Sequence, residues 1–360
     1  MRQPVPDVVV VGAGIIGSSI AWTLARRGVD VVLLDAGRIG GEASTAGAGM
    51  LAPGGEAGED FELAVSMIDS RQRYGSFVAA LAEESGVPID LRECGAVELA
   101  FSDAEFEHLV NRAARQREFG IPSSPLTREE WNELAPGAGA GVAGALYFPG
   151  DAVVNPLDMM EAFRRIHARR AKERSRAVRI VLGRESAEVV TLQNGRYLAS
   201  TVVLAAGAWS SAIEIKGEQA PPGFPDAFPV KGHLLGYQRP EGSLGPILRS
   251  GHTYVLQRRG GFTIAGASTE HVGFDRTIDQ GVAREIAERA GRVFAPLSGL
   301  APSECWIGFR PACSEGRPMV ARSGQSRLWL AYGHYRNGIL LAPGTAEQVA
   351  GSIISSLGRD

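Results

Sequence analysis

Cysteine is scarce: Cys94, Cys305 and Cys313 are the three in a chain of 360 residues. They fall into no metal-ligand or redox spacing, and their odd number argues against a disulfide framework. A reducing, cytoplasmic setting fits them. Surplus charge is missing too. The 37 Lys and Arg set against 40 Asp and Glu leave a net charge of −3, so no basic field draws nucleic acid. There is no internal repeat and no low-complexity linker. Residues 8–25, VVVVGAGIIGSSIAWTLA, form an uncharged run, but Asp7 precedes it where a signal peptide would be basic, and glycines interrupt it. It reads as strand, turn and helix, and no other stretch suits a membrane span.

What is present is ample apolar sequence: 44% hydrophobic residues can build a full core. Residues 8–11 form a β-branched run suited to a buried parallel strand. A helix is predicted over 15–27, closed by Gly28, and a second strand over 31–34. Residues 40–55, GGEASTAGAGMLAPGG, read as a loop. Helical periodicity covers 61–85 and 103–119, the latter from Ser102 as N-cap. Residues 91–101 alternate as one strand, and 145–148 form another. Pro156 opens a helix at a position that tolerates proline. An Asn194-Gly195 turn joins a hairpin, and 201–206 is a buried strand. Residues 217–229, rich in Pro and Gly, mark a crossing into an antiparallel sheet over 229–267, followed by a helix over 279–294. The fold class is α/β, α+β overall. It combines a Rossmann-like domain over 1–88, 146–222 and 306–360 with an inserted antiparallel-sheet domain over 89–145 and 223–305. The tract 164–179, RRIHARRAKERSRAVR, carries eight Lys or Arg and one Glu. A solvated helix face running into a loop is expected there, ahead of an acidic partner or a membrane surface.

The first chemical signal is Gly12-Ala13-Gly14-Ile15-Ile16-Gly17 between a strand and a helix, with Asp35 ending the next strand. Gly12 permits the tight turn, Gly14 the approach of a pyrophosphate, and Gly17 close helix–strand packing. The helix start offers N–H groups and positive dipole to phosphate. Asp35 can accept from a ribose hydroxyl and disfavours a 2′-phosphate. The motif alone leaves NAD and FAD open. Small residues in ASTAGAGM (43–50) and TVVLAAGAW (201–209) leave room for a flat ring system.

Taken with WIGFRP (306–311) and GHYRNGILLAP (333–343), these segments resemble the D-amino acid oxidase superfamily of flavoproteins, nearest to glycine oxidases of the thiamine-biosynthesis type. The resemblance spans nearly the whole chain. It implies non-covalent FAD in the first domain and substrate on the antiparallel sheet of the second. The implied reaction is oxidative deamination of glycine, sarcosine or a small D-amino acid, with hydride passing to flavin N5. The products are an imine or 2-oxo acid, ammonia and hydrogen peroxide, with dioxygen as acceptor, and the imine can serve thiamine thiazole synthesis. It also implies a homo-oligomer, a tetramer.

Carried over residue by residue, Ile15 and Ile16 join Gly12, Gly14 and Gly17 at the pyrophosphate turn. Asp35 and Ala36 lie at the ribose. Ala43, Ser44, Ala48, Gly49 and Met50 run along the pyrophosphate and ring, and Val178 meets adenine. His334, Tyr335, Arg336, Asn337, Gly338, Ile339 and Leu340 line the flavin. Arg310 pairs with the substrate carboxylate, Tyr254 helps hold it, and Arg336 is a second arginine beside it. Thr269 falls where relatives carry a bulkier apolar pocket residue. The residues themselves support Arg310: a guanidinium in the otherwise apolar CWIGFRPAC needs a partner, and its planar fork suits a carboxylate. A helix starting near 343–345 would aim backbone donors at the anionic edge of reduced flavin. No metal site and no Ser or Cys nucleophile is expected. The competing readings are a sarcosine-type secondary-amine oxidase, a quinone-linked D-amino acid dehydrogenase, an NAD-dependent dehydrogenase and a non-catalytic flavin-binding subunit.

Overall fold

A computed structural model describes residues 5–358 apart from 59 and 222. The domain limits expected at 1, 222 and 360 therefore fall on residues outside those described. The N-terminal half-motif forms as expected. Val8–Val11 is fully buried and lies parallel between Val31–Leu34 and Thr201–Leu204. These strands sit in a six-stranded sheet that continues through Leu328–Tyr332 to an antiparallel edge, Met319–Arg322, and ends on the other side at Ala171–Lys172. The helix Ile15–Arg26 packs on it with ten of its twelve residues buried, which explains why its one charge is at its last residue.

An eight-stranded sheet forms the second layer system. In spatial order it runs Glu304–Cys313, Ala227–Gln238, Phe262–Gly266, Thr253–Gln257, Ile247–Ser250, Ala96–Ala100, Gly144–Phe148, Ser124–Leu126. It is not wholly antiparallel: Ile247–Ser250 and Ala96–Ala100 pair in parallel. The boundaries expected at 146 and 306 fall inside two of its strands, Gly144–Phe148 and Glu304–Cys313. The helix Gln280–Val293 covers it, burying Ala283, Ile286, Ala290 and Val293 on one stripe against Leu235, Val255 and Ala265. Its N-cap, Asp279, accepts from the Gly281 and Val282 N–H groups.

Several expectations give way. The single strand over 91–101 is two, Leu91–Arg92 and Ala96–Ala100, in different sheets. Gly95, at φ 67°, breaks the run, so alternation continued through a residue that leaves the β region. The 40–55 loop contains two short helices, Ala43–Ala46 and Pro53–Glu56. The hairpin is Ala187–Thr191 with Arg196–Ala199, and Asn194 takes the left-handed conformation its turn requires. Among the described residues, no helix is long and apolar enough to cross a membrane.

Candidate functional site

The two large sheets share one cleft of about 780 Å³. The glycine turn forms part of its wall. Gly12 has φ 103°, and a Cβ there would overlap the Ala205 carbonyl on the neighbouring strand. A Cβ on Gly17 would overlap the Gly12 carbonyl, so this glycine sets how closely the helix seats on the turn. Gly14 is the helix N-cap and has no side chain to cap with. Gly12, Gly14, Ile15 and Ile16 line the cleft, which places the helix start and its dipole at that wall. Gly17 does not line it and acts through packing.

Asp35 ties the turn to the second strand. Its Oδ2 accepts from the Ala13 N–H and its Oδ1 from the Gly37 N–H, both at 2.7 Å. Burial raises its pKa against the pull of those two bonds. Asp35 and Ala36 line the cleft, as do Ala43, Ser44, Ala48, Gly49 and Met50. The Ser44 hydroxyl accepts from the Ile15 N–H at 2.9 Å, fastening this loop to the helix start. The basic tract does more than form a solvated face. Arg164 and Arg165 pair with Glu161 near the end of Pro156–His167. Beyond that helix, the Arg174 and Ser175 N–H groups donate to the Gly37 and Asp35 carbonyls, and Glu173 accepts from the Ile39 N–H. The tract thus buttresses the Asp35 turn, and Val178 just beyond it reaches the cleft.

Two clamps on this loop carry no sequence signal. Arg258, in the turn after Thr253–Gln257, donates to the Gly47 and Ala48 carbonyls at 2.8 and 2.7 Å. Burial drives its pKa down to about 10. The Trp306 Nε1 donates to the Ala46 carbonyl at 2.9 Å.

The C-terminal segment brings His334, Tyr335, Arg336, Gly338 and Ile339 to the cleft, but not Asn337 or Leu340. Asn337 is the N-cap of the following helix, and the Leu340 side chain is buried in the core. That helix is Gly338–Ser356, so it begins five residues before Pro343 rather than at it. Among the described residues the Asn337 side chain makes no capping bond. The Gly338–Ile339 N–H groups therefore present the positive helix end to the cleft. Tyr335 sits at φ 50° and donates its N–H to the Pro311 carbonyl at 2.7 Å, locking the loop to the strand that carries Arg310. His334 is buried with its Nε2 3.1 Å from the Thr345 hydroxyl, and burial pushes its pKa down to about 3. It is a neutral packing residue.

Arg310, Tyr254 and Arg336 meet in the same cleft, together with Glu56. The Arg310 Nη1 donates to the Ser268 carbonyl at 3.0 Å and reaches the Lys231 carbonyl at 3.5 Å. Among the described residues it makes no ion pair, and burial lowers its pKa. Arg336 differs: its Nη2 donates to Glu56 Oε1 at 3.0 Å. It enters the cleft already partnered, so the three charges sum to about +1, a match for one carboxylate. Burial raises the Tyr254 pKa although Arg310 and Arg336 pull it down, so its hydroxyl stays a donor at neutral pH. Two glycines make room. A Cβ on Gly232 would overlap the Arg310 guanidinium, and one on Gly266 would overlap the Tyr254 ring. Thr269 is exposed and does not line the cleft.

Of the segment 267–279, Arg276 lines the cleft. Phe274 stacks on Trp209 with centroids 4.7 Å apart, and Arg276 sits 5.1 Å over the Phe309 ring while pairing with Glu42 at 2.8 Å. Among the described residues no His, Cys, Asp and Glu group suits a metal. A glycine turn, a helix start, a carboxylate at the end of the second strand and a floor of small residues together fit a dinucleotide with a flat ring.

The family model described as FAD dependent oxidoreductase, DAO, matches residues 7–351. A glycine oxidase of Bacillus licheniformis is 32% identical, over 97% of this chain and 93% of the relative. The bifunctional protein ThiO/ThiG of Synechocystis is 31% identical over 98% of this chain, which spans 52% of that protein. The crystal structure of glycine oxidase from Geobacillus kaustophilus superposes with a TM-score of 0.91 at 29% identity, covering 98% of this chain and 95% of the other.

Proposed function

The chain belongs to the DAO family of FAD-dependent oxidoreductases, and we propose that it oxidises the amine of glycine or another small amino acid. The overall change is amino acid plus dioxygen and water to 2-oxo acid, ammonia and hydrogen peroxide. FAD, when bound, supplies a two-electron acceptor for the α C–H bond.

The observation that carries this reading is the unpaired Arg310. Arg310 is half-buried and has no acid partner among the described residues, which is costly for a guanidinium held away from water, and a substrate carboxylate relieves that cost through a bidentate pair. Arg336, neutralised by Glu56, shapes the pocket and keeps its net charge suited to a monoanion. Tyr254 donates its hydroxyl to the carboxylate. Fixing that group at one end orients the α-carbon and amine toward the floor formed by Ala48, Gly49 and Met50. Arg276 over the Phe309 ring, and Trp209 backed by Phe274, limit water in the cleft. The cofactor is held non-covalently by the glycine turn, Asp35 and the start of Gly338–Ser356. Similarity to part of a ThiO/ThiG protein supports a supply role, in which the imine passes to thiazole synthesis.

Anaerobic mixing of the yellow protein with glycine, sarcosine and D-alanine tests the reading. Bleaching by glycine, followed by stoichiometric hydrogen peroxide when air is admitted, is expected. A flavin that no small amine reduces would overturn it, and bleaching without reoxidation by air would replace dioxygen with another acceptor.

A further inference from the structure

Behind Arg310, on the face of the sheet away from the cofactor turn, the protein buries a set of polar groups that the proposed reaction does not use. Lys231 is 2% exposed and His233 is fully buried. Both project from the strand Ala227–Gln238, on either side of Gly232, the glycine that accommodates the Arg310 guanidinium. Burying them costs free energy unless every polar atom is matched.

The match is Glu270. Its Oε1 lies 2.7 Å from His233 Nδ1 and also accepts from the Ser268 hydroxyl. The His233 tautomer follows from the other ring nitrogen. Nε2 lies 2.9 Å from the Asp279 backbone nitrogen, which can only donate, so Nε2 accepts and Nδ1 carries the proton. His233 therefore donates to Glu270. The Ser268 hydroxyl also accepts from the His233 backbone N–H at 2.8 Å. Lys231 Nζ completes the set, 3.6 Å from Glu270, 3.1 Å from Asp275 and 2.8 Å from the Thr277 carbonyl. The Glu270 and Lys231 backbones exchange two hydrogen bonds as well.

These bonds converge on Ser268, whose carbonyl is the nearer of the two that accept from Arg310 Nη1. We propose that Glu270 is a positioning residue for substrate binding: by gripping the Ser268 hydroxyl and the His233 ring, it fixes the carbonyl that aims the Arg310 guanidinium at the substrate carboxylate. The inference rests on the reading that Arg310 takes that carboxylate. The second carbonyl on Arg310, that of Lys231, belongs to the same bonded unit, so one cluster governs both acceptors.

A misaimed fork loses the bidentate geometry while the flavin and the amine site stay in place. Glu270→Ala in the FAD-loaded enzyme should raise KM for glycine by about tenfold, the worth of one hydrogen bond, with kcat little changed. Affinity for acetate, read from perturbation of the flavin spectrum, should fall in parallel. KM for glycine ethyl ester, which has no carboxylate, should not move. Glu270→Gln, which keeps an acceptor oxygen, should restore most of the acetate affinity, and Ser268→Ala, which removes the hydroxyl that Glu270 grips but keeps the carbonyl, should weaken acetate binding and covers the case in which Glu270→Ala fails to fold. In an Arg310→Ala background the effect of Glu270→Ala on acetate should vanish. Weaker acetate binding in Arg310→Ala with unchanged binding in Glu270→Ala and Ser268→Ala would sink the positioning role and leave Arg310 in the site. Equal losses for acid and ester would reduce Glu270 to a structural residue. Unchanged acetate binding in Arg310→Ala would remove the reading on which the inference stands.

Discussion

Arg310 is set apart from the buried Arg249 and Arg258, and from the half-buried Arg336, by what it leaves open. Arg249 is matched by Glu98 and Asp151 across the sheet. Arg258 commits two nitrogens, Nε and Nη2, to the Gly47 and Ala48 carbonyls, and Arg336 is paired with Glu56. Among the described residues Arg310 has only backbone acceptors, on one nitrogen, so its charge awaits a partner. Replacing it with alanine should weaken glycine binding by roughly 2–4 kcal/mol, seen as a steep rise in KM, while FAD stays bound. An unchanged KM, measured beside the visible spectrum, would take Arg310 out of the site. Its apolar surroundings made this residue legible in sequence. Glu56 was not legible: it sits 280 positions from Arg336, in a Gly-rich loop that carries no charge pattern.

At the scale of elements, the helix Gly338–Ser356 explains a misread boundary. Proline is tolerated in the first turn of a helix, so Pro343 reads as a start. In the fold it lies in the second turn, where it removes a donor to the Ile339 carbonyl. The helix Phe61–Ser85 repairs the break from outside. The Tyr74 hydroxyl donates to the Ile339 carbonyl at 2.7 Å. The Ser70 hydroxyl donates to the Leu340 carbonyl at 2.7 Å and accepts from the Gly344 N–H at 3.0 Å. Tertiary contact thus overrides the local signal. Tyr74→Phe leaves a buried carbonyl unmatched and should cost about 1–3 kcal/mol. Because Ile339 lines the cleft, FAD should also dissociate more readily. A denaturation midpoint and a fluorescence titration with FAD check the two halves, and an unaltered midpoint would count against the repair.

At the scale of the whole molecule, two buried histidines couple stability to pH. Burial lowers the His167 pKa to about 4 and that of His334 to about 3. His167 Nε2 donates to the Ser18 carbonyl at 2.9 Å, and Nδ1 is buried with no partner among the described residues. Protonating Nδ1 would strand a donor. The unfolded chain binds these protons below its ordinary pKa near 6.5, whereas the folded chain does not until pH 4 or lower. Stability should therefore fall as pH drops from 6.5 toward 4, by up to roughly 1.4 kcal/mol per pH unit for each histidine. Urea midpoints at pH 7 and pH 5 measure the slope, and His167→Gln should flatten it. Added FAD should raise the melting temperature in proportion to the logarithm of its concentration, as any ligand of the folded state does. The glycine turn with Asp35, the motifs that carry the family resemblance and the candidate Arg310 were all legible in the sequence alone. Each of these is a short-range pattern in which residue type and spacing carry the physics. Only the tertiary structure decided that Arg336 arrives paired, that Arg258 clamps the loop beside the cleft, that Gly232 and Gly266 make room for Arg310 and Tyr254, and where the last helix begins. Those outcomes depend on contacts between distant segments, and charge pairing or close packing across such separations leaves no periodicity to read.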